Sequence, residues 1–251
     1  MYTFTAEHTV NTPLYKGALV RAINATDGTE IWTLSNYDGS FFAISYAMAD
    51  GYNTFFNGYD NQIYVVGKGP SATTVSAPDV AAPFGAPIVI KGTVTDISAG
   101  TKQNEQAARF PAGVPAISDE SMPDWMEYIY QQRPLPTDAV GITVTLSVFD
   151  SNNNYREIGT ATTDTFGFYN FEYTPEIPGK YVVYAIFEGT EGYWPSKAVT
   201  AFTVMQAEPE PPAPPADQPS IADQYFLPMS IGIIVAIVVV GALVVLLLRK
   251  R

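Results

Sequence analysis

Short β-type runs fill most of the first two hundred positions, at 18–23, 29–34, 52–56, 62–66, 88–95, 142–148, 158–162, 168–173, 180–187 and 197–204. In 142–148, Ile, Val, Leu and Val alternate with Thr, Thr and Ser, and this period of two predicts a strand with one buried and one wet side. Turn signals separate the runs: Asp27-Gly28, Asp38-Gly39, Asp50-Gly51, Asn57-Gly58, Gly167 and Pro178-Gly179. Asp-Gly supplies the positive φ of a tight primed hairpin, so antiparallel meanders are expected.

Two segments break this rhythm. Met122, Trp125, Met126 and Ile129 fall at i, i+3, i+4 and i+7, one stripe of a helix. Ser118-Asp119-Glu120-Ser121 marks its start, Pro123 suits its first turn, and Pro134 is expected to end it. Residues 229–248 are apolar throughout, with four Ile, six Val and four Leu. A helix of that length spans about 30 Å, the hydrocarbon thickness of a bilayer. Insertion of those side chains is favoured by roughly 4 to 8 kcal/mol.

Charge gives the predicted span a direction. Arg249, Lys250 and Arg251 follow at once, and no Lys or Arg lies between Lys197 and Arg249. Positive charge stays cytoplasmic, so the expected topology is a cytoplasmic C-terminus and an extracellular N-terminal region. The lipid bilayer is the expected partner of this helix. The chain of 251 residues carries a formal net charge of −12, and the part before the terminal cations is more acidic still. Such a polyanion repels nucleic acid, and no nucleic-acid partner is expected.

The chain has no cysteine and one histidine, His8. Disulfides, thiolate metal sites and paired-histidine zinc motifs are therefore excluded. Asp150, Asn152 and Asn154 begin like a calcium loop, but Tyr155 and Ala161 stand where such a loop needs glycine and glutamate. A hairpin turn is the better reading. No catalytic residue, metal ligand or cofactor is assigned.

The segment Ala22-Ile23-Asn24-Ala25-Thr26-Asp27-Gly28-Thr29-Glu30-Ile31-Trp32 resembles the tryptophan-docking repeat of PQQ-type β-propellers. Asn24 and Asp27 depart from the usual acid and threonine. Residues 49–52 and 58–64 resemble the rest of that repeat, so the likeness covers about 15–67. It implies that Gly28 turns a hairpin and Trp32 packs between neighbouring blades. It does not imply the quinone, because one blade cannot enclose such a site. A lone blade also leaves faces and edges open, which points to further blades upstream or on another chain. The first residues, MYTFTAEHTV, lack the basic start and apolar core of a signal peptide. The expectation is the C-terminal part of a longer protein.

Residues 163–196 resemble Ig-like repeats of bacterial and archaeal surface proteins, through Thr163-Asp164, Gly167-Phe168-Tyr169, Pro178-Gly179-Lys180-Tyr181 and Tyr193-Trp194-Pro195-Ser196. That resemblance implies a β-sandwich and is silent on ligand. The two resemblances together point to a prokaryotic, and more specifically archaeal, source.

The expected fold is thus mainly β: a partial propeller blade (1–69), a linker (70–77), an Ig-like sandwich (78–206) with a helical insertion (98–141), a Pro-rich stalk (207–228), a transmembrane helix (229–248) and a basic tail (249–251). The insertion helix has two readings. It caps the sandwich, or Trp125, Tyr128 and Tyr130 form a contact surface for a glycan or protein. Asn24-Ala25-Thr26 is a candidate N-glycosylation sequon. The leading functional expectation is a single-pass cell-surface protein with a structural, adhesive or binding role. The alternatives are the anchored end of a quinoprotein-like enzyme, or an envelope assembly scaffold that docks other envelope proteins, with the propeller mostly upstream.

Overall fold

A computed structural model of the chain describes residues 1–5, 17–37, 46–206 and 220–250. His8, Asp38-Gly39, most of the Pro-rich segment and Arg251 lie outside the described residues. The chain forms two compact units, Met1–Ala207 and Glu208–Arg251.

The first unit is mainly β. Strands β1 (Tyr2–Phe4), β2 (Leu19–Ile23) and β3 (Glu30–Ser35) make one antiparallel sheet in sequential order. Strands β4 (Tyr46–Ala49), β5 (Tyr52–Asn57) and β6 (Gln62–Val66) make a second. Asp50 and Gly51, both at positive φ, close the β4–β5 hairpin as a primed turn requires. The segment expected to be a partial blade thus forms two three-stranded sheets. Period-two alternation gives each strand a buried face but does not say which face it meets. Here Val20 and Leu34 of one sheet bury against Phe55 of the other, with Phe4, Trp32, Tyr64 and Val66 around them. Buried Asn57 ties the sheets together. Its amide nitrogen donates to Ser35 O at 3.2 Å and its oxygen accepts from Tyr37 N at 3.1 Å.

The next strands are β7 (Ser71–Thr73), β8 (Ile88–Asp96), β9 (Val114–Pro115), β10 (Thr143–Phe149), β11 (Tyr155–Thr162), β12 (Phe168–Tyr173), β13 (Gly179–Phe187) and β14 (Ser196–Val204). They form two antiparallel sheets, ordered β11-β10-β13-β14 and β12-β8-β7, with β9 also paired to β8. Alternate residues from both enclose one core. It includes Ile90 and Val94 of β8, Leu146 of β10, Tyr181 and Val183 of β13, and Phe202 of β14. Tyr181 and Phe202 stack at 4.9 Å.

Two boundaries differ from the expected ones. Residues 70–77 are not a linker: β7 pairs with β8, Thr74 and Ser76 bond to Thr93 and Lys91, and Ala77 enters the core. Gly69 is itself bridged to Tyr193, and Pro70 leads straight into β7. Gly92 lets this segment approach, since a Cβ there would lie 2.0 Å from Thr74 O. The chain then lies parallel to the β14 end at two bridges, Gly69 with Tyr193 and Ala82 with Val204. Four backbone bonds of 2.8 Å hold them: Gly69 N to Gly192 O, Trp194 N to Gly69 O, Ala82 N to Thr203 O and Met205 N to Ala82 O.

The second boundary is the apolar helix. In the second unit α3 runs Ile221–Leu248, so it begins inside the segment expected to be stalk. Ala222 and Gln224 are good helix formers, and apolar content alone marks only the central part. Pro228 sits inside it and removes one N–H from the ladder. Gln224–Leu248 is long and apolar enough to cross a membrane, at about 37 Å by helical rise. Its large side chains are exposed on every side.

Candidate functional site

The insertion between β8 and β10 carries the least generic chemistry. It starts at Asp96, 5 % exposed, whose carboxylate accepts from the Ser98 N–H at 2.7 Å and from the Ser98 hydroxyl. Burial pushes this carboxyl above the usual carboxylate range, against the lowering effect of the Ser98 bonds. Tyr130 and Tyr193 crowd the same place, and burial raises both phenols first, with the Asp96 charge adding to it. A short 3₁₀ turn (Ala99–Lys102) leads to α1 (Asn104–Arg109), and the main helix α2 follows (Met122–Tyr130).

Asp119 leaves the start of α2 uncapped and reaches the β13–β14 connection. Its carboxylate accepts from Thr190 Oγ1 at 2.7 Å, Glu191 N at 2.8 Å and Gly192 N at 2.9 Å. At the other end, the last carbonyls of a helix need donors. Arg109 supplies them, donating to Ile129 O at 3.0 Å and Tyr128 O at 3.2 Å, and Gln106 adds a bond to Ile129 O at 3.1 Å. The Arg109 guanidinium also covers the Tyr128 ring at 4.5 Å. Gln132 at φ 54 turns the chain away before Pro134.

The predicted stripe is present and faces inward. Trp125 and Ile129, each 1 % exposed, pack with Val114 and Ile117. Met122 and Met126 touch both this cluster and the sandwich core. The contact-surface expectation is corrected at Trp125, whose indole is enclosed by Phe110 and Tyr128, with ring centroids at 6.4 and 5.5 Å. Tyr128 and Tyr130 are half-buried. The stripe's spacing could not show that Phe110, Val114 and Ile117 would cover it.

The end of α2 meets the N-terminal sheets. Gln131 Nε2 donates to Ser35 O of β3 at 2.9 Å, and the Tyr64 hydroxyl of β6 lies 3.4 Å from Tyr130 O while donating to Asp60 at 2.6 Å. Burial and the facing Asp60 carboxylate raise the Tyr64 phenol, which stays protonated and able to donate. The insertion is therefore a bracket, rooted in the sandwich and bearing on the two small sheets. Arg109, Gln106, Asp96 and Gln131 are its unpredicted parts. NEQAAR is too short and polar to announce a helix, and single side chains carry no periodic signal.

The other predicted positions lie away from it. Trp32 is half-buried on β3, with its ring 5.7 Å from Tyr2. Gly28, at φ 76, ends the turn that begins at Asn24. Asp150 serves its hairpin: it accepts from Asn152 N and Asn154 N at 2.9 Å and from Asn154 Nδ2 at 3.0 Å. Among the described residues, no three His, Cys, Asp or Glu gather as a metal site. Two shallow clefts stand open to solvent. One of about 400 Å³ lies beside Asp119, Thr143, Glu188 and Thr190, and one of about 330 Å³ beside Tyr2, Met48 and Tyr52. Neither encloses a ligand as small-molecule sites do. No family model matches the chain, and no curated protein matches it.

Proposed function

We propose that the protein is a single-pass membrane protein that displays its β-rich unit outside the cell, in a structural, adhesive or protein- or glycan-binding role. The observation that carries this reading is α3, whose apolar side chains are exposed all round along a length sufficient to cross a bilayer. The cations at 249–251 and their absence from 198–248 support a cytoplasmic C-terminus. The two facing sheets, with Trp32 beside their shared core, support the PQQ-like propeller reading of residues 1–69. Among the described residues, Ile31, Met48, Ile63 and Val65 expose apolar side chains on these sheets, which suits packing by further blades. The two antiparallel sheets around one core support the Ig-like reading of the next segment. A bracket joining the two halves suits a part that holds shape rather than one that turns over substrate.

Two measurements test this. In alkaline carbonate the protein is expected to stay with the membrane pellet. Protease added to intact cells is expected to remove the β-rich unit and leave a small membrane-bound remnant. Release into the carbonate supernatant, or full protection in intact cells, would overturn the proposal.

A further inference from the structure

Asn24 begins the connection between β2 and β3. Its N–H donates to Thr29 O at 2.8 Å and its carbonyl accepts from Gly28 N at 2.9 Å, so the backbone of the turn is closed. Ala25, Thr26, Asp27, Gly28 and Thr29 are all exposed, and a Cβ placed on Gly28 would meet nothing within 4 Å. The side chains divide the work in a particular way. Asp27 stiffens the turn, accepting from Thr29 N at 2.9 Å and from the Thr29 hydroxyl at 2.7 Å. Asn24 Oδ1 accepts from Thr26 N at 2.9 Å, an Asx turn. Within the described residues this leaves Asn24 Nδ2 and the Thr26 hydroxyl unengaged, at the open end of a hairpin. Those are the two groups by which an Asn-x-Thr acceptor is read and modified, and bulky attachments need this kind of surface. The small Ala25 between them obstructs neither.

We infer that Asn24 is an N-glycosylation site whose donor is a lipid-linked oligosaccharide phosphate or pyrophosphate. In the transfer, a bond forms between Asn24 Nδ2 and the anomeric carbon of the reducing-end sugar. The bond from that carbon to the lipid phosphate oxygen breaks, and its electron pair leaves with the phosphate. Nδ2 gives up one of its two protons to base, and nothing is oxidised or reduced. The Asx turn holds Asn24 Oδ1 on the Thr26 N–H, and the half-buried Asn24 keeps its nitrogen free of any bond within the turn. The inference rests on the exterior location proposed above.

The test uses full-length protein taken from the membranes of its own organism. Trypsin releases residues 22–68 as one peptide, because no Lys or Arg lies between Arg21 and Lys68. That peptide is expected to carry a glycan mass that fragmentation places on Asn24. Asn24→Gln and Thr26→Ala should each abolish the added mass, and Thr26→Ser should keep it. Protease treatment of the same intact cells is run alongside. An accessible β-rich unit with an unmodified 22–68 peptide overturns the glycosylation and leaves the surface reading standing. A protected unit overturns both. Added mass on another residue, or one that survives Thr26→Ala, also overturns the assignment.

Discussion

Among the described residues, sheets β11-β10-β13-β14 and β12-β8-β7 enclose 19 buried core residues, whereas the two N-terminal sheets enclose Val20, Leu34 and Phe55. Strand chemistry is the same in both regions. A fully buried large apolar side chain contributes roughly 1.5–3 kcal/mol. Three such residues are a small return against an ordering cost of about 1–2 kcal/mol for each backbone position. The second region adds polar ties, within itself through Asn57 and to the end of α2 through Gln131. The lesson is that a strand pattern predicts sheets without predicting what steadies them.

The largest expected effect comes from Trp125→Ala. Loss of a 1 % exposed indole should cost about 3–5 kcal/mol and lower the melting temperature. Amides of β3 and β6 should exchange faster along with those of α2. A variant that keeps its melting temperature would break the bracket account and return Trp125 to the surface. Next is Gln131→Ala, which removes one bond to Ser35 and should cost about 0.5–1.5 kcal/mol. Its effect should be confined to hydrogen exchange in β2 and β3. Equal acceleration in β10 and β13 would show that the two regions unfold together.

The smallest effect separates with pH. Asp96 has a folded-state pKa raised by burial, so the folded chain holds that proton more firmly than the unfolded chain. Its contribution is therefore full below the unfolded value of about 3.9 and is lost as pH rises through the raised value. Denaturant midpoints should fall across that window in the native sequence. They should fall less in Asp96→Asn, which carries no proton to lose. Identical pH profiles for the two would remove Asp96 from the account.

Much of the β content was readable because burial on one face writes itself as alternation. Residues 142–148 carry that signal, and β10 stands there. β1, β4 and β7 are three or four residues long, too short for a period to register. The helix at 122–129 was visible as a stripe, but a stripe names a buried face and not the surface that buries it. That is why a contact reading of Trp125 stands beside the favoured reading of a capping helix. Arg109 acts through bonds to Tyr128 and Ile129 of a separate helix, and Asp96 is marked by its burial in the folded chain, which no local spacing encodes.

The parallel bridges joining Gly69 to Tyr193 and Ala82 to Val204 have a mechanical consequence. Segments that run the same way, one reached from the N-terminal side and the other leading toward α3, are dragged past each other when the ends are stretched. Their four cross-links then share the load together instead of parting one by one as in a peeled hairpin. Such a joint resists tugging far better than its modest thermodynamic worth suggests, which is a useful trait in anything tethered at one end and held at the other.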